Sequence, residues 1–528
     1  DAKLIEPDSS SAPAPTLPFP KDGLSLQAVQ AFIERCGGQA ALEGLTTTEV
    51  CADALMPLTR AAQSSYCELL RVTGAPGVGK PVAFISHAWK YKFMDVVLAL
   101  KTHFQGNADP SSVIIWFDLF TNNQHGAPNL DFTWWSTTFK SAIEEIGQTV
   151  VVLTPWSNPI PFTRAWCLYE VYCTVSTGSA FDVAMTPTEQ TAFVMAAQHD
   201  VNELKALVTT IDVQKSEAFN PLDLKNIFDV VSETCGFDKI NEIVMERIRI
   251  WVVHAMRSAA EDAEDERTRA SVLYTLGLLY DQMGMLDNAV LILEDSVERF
   301  KALDGAATHA TIQKMNNLAI TYDRLGRYAE AAVRFQECLA NYETALGTAH
   351  VDYHNTLSSL AVVYLHQTDY EKALPLLEKC LAFFRTELGD EDLTTVNSMS
   401  TLAIVHDSLG RPADSLPLLE ECIKIKRREL GDKHPDTLVS LNSLATVHFR
   451  LKNYQVGVQI FEEVLAAKRV KFGSKHFSTL KGMSTLANVY SQLGAPDEAT
   501  VLFNEAWDGY QSTLGGSHVD ALYCLYNM

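Results

Sequence analysis

The sequence is short of positive charge, with 42 Lys and Arg residues against 65 Asp and Glu residues and a net charge of −23. A protein that binds nucleic acid or an anionic membrane through phosphate groups needs a basic surface, so we expect neither partner. The chain also lacks any apolar run of about 18 residues, the length that spans a bilayer as a helix. We therefore expect no membrane-spanning segment.

Cysteine is scarce as well, with 10 residues in the chain and no C-x-x-C pair. Cys338, Cys380 and Cys422 stand 42 residues apart, which indicates packing positions of a repeat rather than metal ligands or disulfides. We expect no metal site and a reduced, cytoplasmic protein. Residues 1–21 are rich in Pro and Ser and lack the apolar core of a signal peptide, so they are predicted to form a disordered tail. Because no Met begins the chain, we expect a fragment or a processed form.

The C-terminal half repeats itself every 42 residues. A leucine, a turn glycine and a small residue each return at this spacing, although Thr368 and Lys452 replace the glycine in two copies. The leucines are Leu276, Leu318, Leu360, Leu402, Leu444 and Leu486. Each copy has the pattern of a helix, a tight turn and a second helix. One such hairpin cannot bury its apolar face alone, so the copies are predicted to stack into an all-α superhelix with a concave groove.

The repeat unit, written LGDKHPDTLVSLNSLATVH at residues 430–448, resembles the tetratricopeptide repeats of the kinesin light chain family. The resemblance covers six repeats over residues 264–517, and residues 518–528 would form a truncated seventh repeat or a cap. It implies that the groove binds a peptide or protein ligand. Asparagines on the first helices could hold the backbone of an extended peptide, or they could be solvated helix positions. These residues are Asn316, Asn355, Asn397 and Asn442.

The N-terminal half changes its pattern near residue 81. Residues 22–80 have the spacing of short helices followed by a linker, and the linker contains GAPGVGK. This motif matches a phosphate-binding loop, but a helix precedes it and a proline follows it, which favours the linker interpretation. After it, the apolar runs VAFISHAW, VIIWFD and TVVVLTPW alternate with helical segments. This alternation predicts an α/β domain with a parallel sheet buried on both faces.

Polar and aromatic residues follow the predicted strands at their carboxyl ends, where ligands bind in sheets of this kind. Ser86, His87, Ala88 and Trp89 end the first run, and Asp118 ends the second.

The next predicted helix contains TRAWCLYEVYCT and is apolar nearly all round. Glu170 is its one charged residue between positions 165 and 175. A buried carboxylate costs several kcal/mol unless it is paired, so Glu170 needs a partner or a function. Trp166 lies one turn earlier on the same helix face and could contact a cationic ring beside this carboxylate.

These segments resemble the TIR domain family through FISHAW, WFD, TVVVLTPW and WCLYE. The resemblance implies a flavodoxin-like α/β domain over residues 81–200 and a helical extension over residues 201–263. In NAD-cleaving members the glutamate of a W-x-x-x-E element is catalytic, and it corresponds to Glu170. The residues implied to bind NAD are Ser86, His87, Ala88, Trp89, Asp118 and Trp166.

The resemblance implies a NAD nucleosidase of a signalling or defence type, which cleaves the nicotinamide–ribose bond by hydrolysis or cyclisation. NAD would be the substrate with no further cofactor, the TIR-like domain would mediate homo-oligomerisation, and the repeat array would regulate the activity. The alternative is a non-enzymatic adaptor similar to kinesin light chains, with the TIR-like domain as a protein-interaction module. In that case Glu170 pairs with Arg164 or His87, His87 is structural, and Asp118 caps the following turn.

Overall fold

The computed structural model describes residues 20–125, 132–199, 202, 204–205, 212–218, 221–234, 236–514 and 518–527. The tail predicted at residues 1–21 lies almost wholly outside this set. The chain divides into two compact units, Asp1–Arg299 and Phe300–Met528. This boundary falls inside a helix, Leu286–Asp304, and not at residue 264, where the repeat pattern begins.

A six-stranded sheet forms the centre of the first unit, in the order β2-β1-β4-β3-β5-β6. Its strands are β1 (Gly23–Ser25), β2 (Val78–Gly79), β3 (Ala83–Ser86), β4 (Ile114–Trp116), β5 (Gln148–Val152) and β6 (Ala180–Ala184). The four strands from β4 to β6 run parallel, as predicted. The chain passes from β3 to β4 on one side and then to β5 on the other, so its winding direction changes beside β3.

The prediction of a purely parallel sheet is wrong at one edge, because β1 pairs antiparallel with both β2 and β4. Residues 22–80 are therefore not only helical, and part of the expected linker is strand β2. Gly23 explains how β1 can lie so close to β4. A Cβ atom at this position would come within 2.4 Å of the Ile115 carbonyl oxygen, so no larger residue fits there.

Helices surround the sheet in the described part of the first unit. They are α1 (Leu26–Arg35), α2 (Gln39–Leu42), α3 (Thr47–Val50), α4 (Met56–Thr59), α5 (Tyr66–Val72), α6 (Phe93–His103), α7 (Asp118–Thr121), α8 (Phe132–Ile146), α9 (Ala165–Ser176), α10 (Pro187–His199), α11 (Pro221–Thr234), α12 (Phe237–Glu261) and α13 (Glu266–Gln282). A π-helical turn covers Cys51–Leu55, and short 3-10 turns cover Pro110–Ser112, Ile160–Thr163 and Val213–Lys215.

Both faces of the sheet are buried, because alternate residues of a strand point to opposite sides. Ala83 and Ile85 of β3 belong to an apolar core that includes residues of α1, α5 and α6. Phe84, between them, belongs to a second core that includes residues of α8, α9 and α12. The near-continuous apolar runs in the sequence are the result of this double burial.

The second core extends well beyond the predicted α/β domain. In the segment predicted as a helical extension, α12 contributes Ile248, Val252 and Met256 to the core that contains Leu168 of α9. Helix α13 is the first helix of the first repeat, and its Leu276 is buried in that same core. The first repeat is therefore packed as part of the first unit.

The remaining repeats form the second unit, together with the end of α14 (Leu286–Asp304). Each repeat is a pair of helices, a first and a second. The pairs are α15 (His309–Arg324) with α16 (Tyr328–Ala345), α17 (Val351–His366) with α18 (Tyr370–Glu387), α19 (Leu393–Ser408) with α20 (Pro412–Leu430), α21 (Pro435–Arg450) with α22 (Tyr454–Phe472), and α23 (Phe477–Gln492) with α24 (Pro496–Leu514). Helix α25 (Val519–Asn527) follows them where a truncated repeat or cap was predicted.

The periodic residues serve the packing of these pairs. The period leucines are buried, and Cys338, Cys380 and Cys422 are free thiols with no exposed surface. Gly457 stands at the small-residue position of α22, where a Cβ atom would lie 3.0 Å from the Ala445 carbonyl oxygen of α21. The small residue therefore permits the close approach of the two helices. No described helix has both the length and the apolar character needed to cross a bilayer.

The turn between the two helices of a repeat needs a backbone conformation that glycine adopts most easily. Gly326 and Gly410 have φ angles of 80° and 74° there. Thr368 and Lys452 adopt φ angles of 60° and 67° at the same repeat position. For a residue with a Cβ atom this left-handed conformation costs about 1–2 kcal/mol.

We expect Lys452→Gly to raise the stability of the second unit by about 1 kcal/mol, because glycine relieves the strain at this turn. Urea unfolding followed by circular dichroism measures the change. The reciprocal control is Gly410→Ala, which introduces the same strain in another repeat and should lower stability. A loss of stability in Lys452→Gly would contradict this account of the turn.

Candidate functional site

The predicted site residues lie where the sheet changes its winding direction, beside the carboxyl end of β3. Ser86 is the last residue of this strand, and His87 follows it directly. Asp118 follows β4 and begins the short helix α7. Because ligands of open α/β sheets bind at such a point, the topology itself favours a site here.

Glu170 lies in α9, and its carboxylate has no counter-charge in the described structure. The residue as a whole is partly buried, while its Oε2 atom is inaccessible to solvent and has no hydrogen-bond partner. No ion pair joins it to Arg164 or to His87 among the residues described, so neither pairing weighed from the sequence is present. Burial raises the pKa of Glu170 to about 8, the nearby Ser86 hydroxyl lowers it, and the charge of Asp118 raises it.

Asp118 organises the rim of the site through three neighbours. Its Oδ2 atom accepts a hydrogen bond from the indole Nε1 of Trp89 at 2.7 Å. Its Oδ1 atom accepts one from the backbone N–H of Leu119 at 2.8 Å, so the residue also caps its own turn. His87 Nδ1 lies 3.8 Å from Oδ1, which is too long for a hydrogen bond. Asp118 therefore fixes Trp89 by a hydrogen bond, whereas His87 lies beside it without one.

His87 is buried against Phe117, with their ring centroids 4.8 Å apart and edge to face. Burial lowers the pKa of His87, while the charge of Asp118 opposes that change. The imidazole is thus held mainly neutral, and its Nε2 atom is buried without a hydrogen-bond partner. A neutral ring with one unused nitrogen can donate or accept one hydrogen bond from a ligand.

Several other buried polar atoms around β3 also lack partners. The Ser86 Oγ, His87 Nε2, Glu170 Oε2 and Tyr91 hydroxyl atoms are all buried without a partner of full hydrogen-bond geometry, although the Ser86 hydroxyl is near enough to Glu170 to lower the pKa of that carboxyl. An unpaired buried polar atom is costly, and native structures tolerate few of them. These atoms are concentrated at one end of the sheet, where they are available for hydrogen bonds to a polar ligand.

Two residues near the site were missed by the sequence reasoning. Tyr91 follows Trp89 by two positions, and its hydroxyl is buried near the residues that follow β3. Cys167 follows Trp166, and its thiol donates to the His87 carbonyl oxygen at 3.6 Å. Burial raises the pKa of Cys167 well above its usual value, so the thiol is neutral and is not a nucleophile. No sequence pattern indicates that a Cys in an apolar helix contacts the backbone of the loop after β3.

The remaining predicted residues are Ala88 and Trp166, and their roles also stay predictions. Ala88 is buried, and its carbonyl oxygen accepts a hydrogen bond from the Tyr91 N–H at 2.8 Å. The Trp166 ring lies 6.0 Å from the Phe139 ring and 6.2 Å from the Tyr169 ring, measured between centroids. Trp166 thus packs among aromatic residues of α8 and α9. The structure brings together Ser86, His87, Trp89, Asp118 and Glu170, whose roles remain predictions.

The described residues contain no group of three or more His, Cys, Asp or Glu side chains arranged to hold a metal ion. The polar side chains that the site presents include the carboxylates of Asp118 and Glu170, the imidazole of His87 and the indole of Trp89. In the second unit, Asn316 is partly buried with an unpaired Oδ1 atom, whereas Asn397 is exposed. A role of the asparagines in holding a peptide also stays a prediction.

Comparison with known proteins identifies the repeats. The family model described as "Tetratricopeptide repeat" matches residues 268–344, 352–428, 409–469 and 436–512. The prediction of a tetratricopeptide array is therefore confirmed for this part of the chain. The match includes none of the residues of the sheet, and the TIR resemblance remains a prediction there. No curated protein matches the chain.

Several solved structures are similar to part of the chain. One is a protein from Podosopora anserina, provisionally described as a kinesin light chain with nearly identical TPR-like repeats, at 25% identity, covering 38% of this chain and 96% of that one, with a TM-score of 0.35. Another is BtubC (BKLC) from P. vanneervenii, at 18% identity, 44% and 93% coverage and a TM-score of 0.38. A tetratricopeptide repeat protein from Parabacteroides merdae is 14% identical, with 57% and 98% coverage and a TM-score of 0.40.

The buried carboxylate makes stability depend on pH. Because folding raises the pKa of Glu170 from 4.5 to about 8, the folded protein binds a proton more tightly than the unfolded chain between these values. This stabilising contribution is complete below pH 4.5 and is lost as the pH rises towards 8. In Glu170→Gln the contribution is absent, so the variant should gain stability relative to the wild type at high pH, by about 2–4 kcal/mol.

Thermal unfolding of both proteins at a series of pH values tests this expectation. Glu144→Gln is the matched control, because Glu144 is exposed on α8 and should leave the pH profile unchanged. Parallel profiles for wild type and Glu170→Gln would show that Glu170 is not desolvated.

Proposed function

We propose that the first unit is a TIR-like NAD nucleosidase and that the repeat array holds a peptide or protein partner that regulates it. The observation that supports the enzymatic part is the unpaired, desolvated carboxylate of Glu170 beside other unsatisfied polar atoms. A buried carboxylate with a strongly raised pKa in such a place is typical of functional sites. The tetratricopeptide architecture supports the second part, because such arrays are typically binding surfaces.

The chemistry suits a single carboxylate. Nicotinamide in NAD is a cationic pyridinium, so it leaves as a neutral molecule without help from a general acid. The ribose carbon develops oxocarbenium character as its bond to the ring nitrogen breaks. The charge of the bound pyridinium favours the ionised form of Glu170, and that anion then stabilises the ribosyl cation. Water completes hydrolysis and releases a proton, whereas an internal nucleophile of NAD would complete cyclisation.

The other residues have positioning roles in this proposal. Trp89 is partly exposed with its indole N–H held by Asp118, so its ring is the better candidate to stack on nicotinamide. Trp166 has aromatic neighbours of its own, which favours a packing role over stacking. Ser86 and His87 would supply hydrogen bonds to ribose hydroxyls through the atoms that now lack partners. Self-association through the TIR-like domain and a cytoplasmic location belong to the same proposal.

We expect the full chain to release nicotinamide from NAD and Glu170→Ala to abolish that release. Glu170→Gln should be as inactive as Glu170→Ala, because it preserves shape but cannot become an anion. Nicotinamide is measured by chromatography at several protein concentrations, since self-association is part of the proposal. Glu144→Gln serves as the control with an intact site.

The alternative is an adaptor without catalysis. The observation that favours it is that the confirmed part of the chain is a repeat scaffold. Two results decide between the candidates. Nicotinamide release that is lost in Glu170→Gln supports the enzyme. Absence of release at every protein concentration, or equal release by wild type and Glu170→Ala, supports the adaptor.

A further inference from the structure

The loop that follows β3 is held in place by the N-terminal segment of the chain. The start of α3 runs antiparallel to this loop, and backbone hydrogen bonds join the two. The Trp89 carbonyl oxygen accepts from the Thr48 N–H at 3.2 Å. The Tyr91 carbonyl oxygen accepts from the Thr47 N–H at 2.9 Å. The loop that carries the predicted site residues is therefore not supported by the parallel sheet alone.

Thr48 contacts Trp89 through its side chain as well. Its Oγ1 atom donates to the Trp89 carbonyl oxygen at 3.2 Å, so two donors of one residue converge on one acceptor. A carbonyl oxygen has two lone pairs and can accept both hydrogen bonds. At the other end of Trp89, the indole N–H donates to Asp118 at 2.7 Å. Thr48 thus fixes the backbone of Trp89, and Asp118 fixes its ring.

The turn that carries Thr48 is anchored on both of its sides. Thr46 is the N-cap of α3, where its Oγ1 atom accepts from the Glu49 N–H at 3.3 Å and Glu49 Oε2 accepts from the Thr46 N–H at 2.7 Å. Reciprocal capping of this kind stabilises the first turn of a helix. Val50, at the end of α3, is buried in the apolar core that also contains Ala88. The two donors of Thr48 are therefore held in a defined place.

The loop that begins at Asp118 is held by the same N-terminal segment. Beyond α7, His125 Nε2 lies 2.9 Å from the Oγ1 atom of Thr59, which ends α4. Asn123 Nδ2 donates to the Gln63 carbonyl oxygen at 2.8 Å. The stretch from α3 to the turn after α4 thus contacts both loops that present the candidate site residues.

We propose that this stretch is part of the candidate site and that Thr48 is a positioning residue, which holds the Trp89 ring where it can stack on nicotinamide. The inference rests on the proposed function, in which Trp89 contacts the substrate. Thr48 touches no reacting atom and acts through Trp89. Fixing a stacking residue before the substrate arrives removes part of the ordering that binding would otherwise require.

Three variants separate the hydroxyl of Thr48 from its shape. Thr48→Val removes the hydroxyl donor and preserves the branched side chain, whereas Thr48→Ser keeps the donor. The matched control is Thr191→Val. Thr191 is exposed on α10, and its hydroxyl donates to the Pro187 carbonyl oxygen within its own helix.

The first readout is the indole N–H signal of Trp89 in NMR spectra of the full chain with isotope-labelled tryptophan. Trp89→Phe assigns the signal. Thr48→Val should shift it and speed its exchange with solvent, because the hydrogen bond to Asp118 loses its support. Thr48→Ser and Thr191→Val should leave it in place. A role of Thr48 in folding alone would lower the melting temperature without moving this one indole.

The second readout is nicotinamide release at a series of NAD concentrations. Thr48→Val should raise KM about fivefold, the factor that corresponds to one typical hydrogen bond. The value of kcat should change little, because Glu170 is untouched. Thr48→Ser should have the KM of the wild type, and so should Thr191→Val.

An unmoved Trp89 signal in Thr48→Val would overturn the proposal. So would equal effects of Thr48→Val and Thr48→Ser, because the hydroxyl would then not be the cause. An unchanged KM in Thr48→Val, measured on an active wild type, would overturn it too. If the wild type releases no nicotinamide, the enzymatic proposal fails, and the indole signal alone decides whether Thr48 positions Trp89. The two failures are therefore distinguishable.

Discussion

The main physical constraint on this structure is the unfavourable free energy of burying an ionisable group without an opposite charge beside it. An isolated charge in an apolar interior is unfavourable by several kcal/mol, and most proteins avoid it by pairing. Here one oxygen atom of the Glu170 carboxylate is buried beside the end of the sheet without a partner. The amine of Lys426 is buried within a repeat and has one hydroxyl partner. Each places an ionisable group in a largely apolar environment without an ion pair.

The surroundings of Glu170 and of a second buried amine, Lys468, act on the charge of each group in the same way. Around Glu170, the loss of water and the neighbouring carboxylate of Asp118 both favour the protonated form of its side chain. Around Lys468, burial and the positive charge of Lys481 both lower the pKa of the amine. Desolvation thus favours the neutral form of both groups, the protonated carboxyl of Glu170 and the unprotonated amine of Lys468.

Much of this arrangement could be predicted from the sequence. The 42-residue period specified the helix pairs, the buried leucines and the free cysteines, because each copy repeats the same packing problem. The apolar runs predicted the parallel strands, and their carboxyl ends placed Ser86, His87 and Asp118 in one region. Glu170 was predicted on the helix that follows the third of these strands, where the structure has it. Those successes share a cause, since periodicity and strand order are encoded by residues close in sequence.

The failures have a different cause. Strands β1 and β2 are three and two residues long, and their pairing depends on a glycine that fits against Ile115 from far away in the sequence. The direction of the Trp166 ring, towards Phe139 and Tyr169, depends on packing between helices. Tyr91 and Cys167 enter the site through backbone contacts, and local residue patterns carry no information about these.

The participation of α13 in the core of the sheet domain has a consequence for how such a protein can change over evolution. Later repeats contact their neighbours in a linear stack, so one of them can be gained or lost while the rest survive. The first repeat has no such freedom, because Leu276 fills the same interior as Phe84 and Leu168. Any recombination that separated the sheet from the repeats at the border of the repeat pattern would expose this shared core to solvent. The natural unit of inheritance is therefore the sheet together with its first repeat.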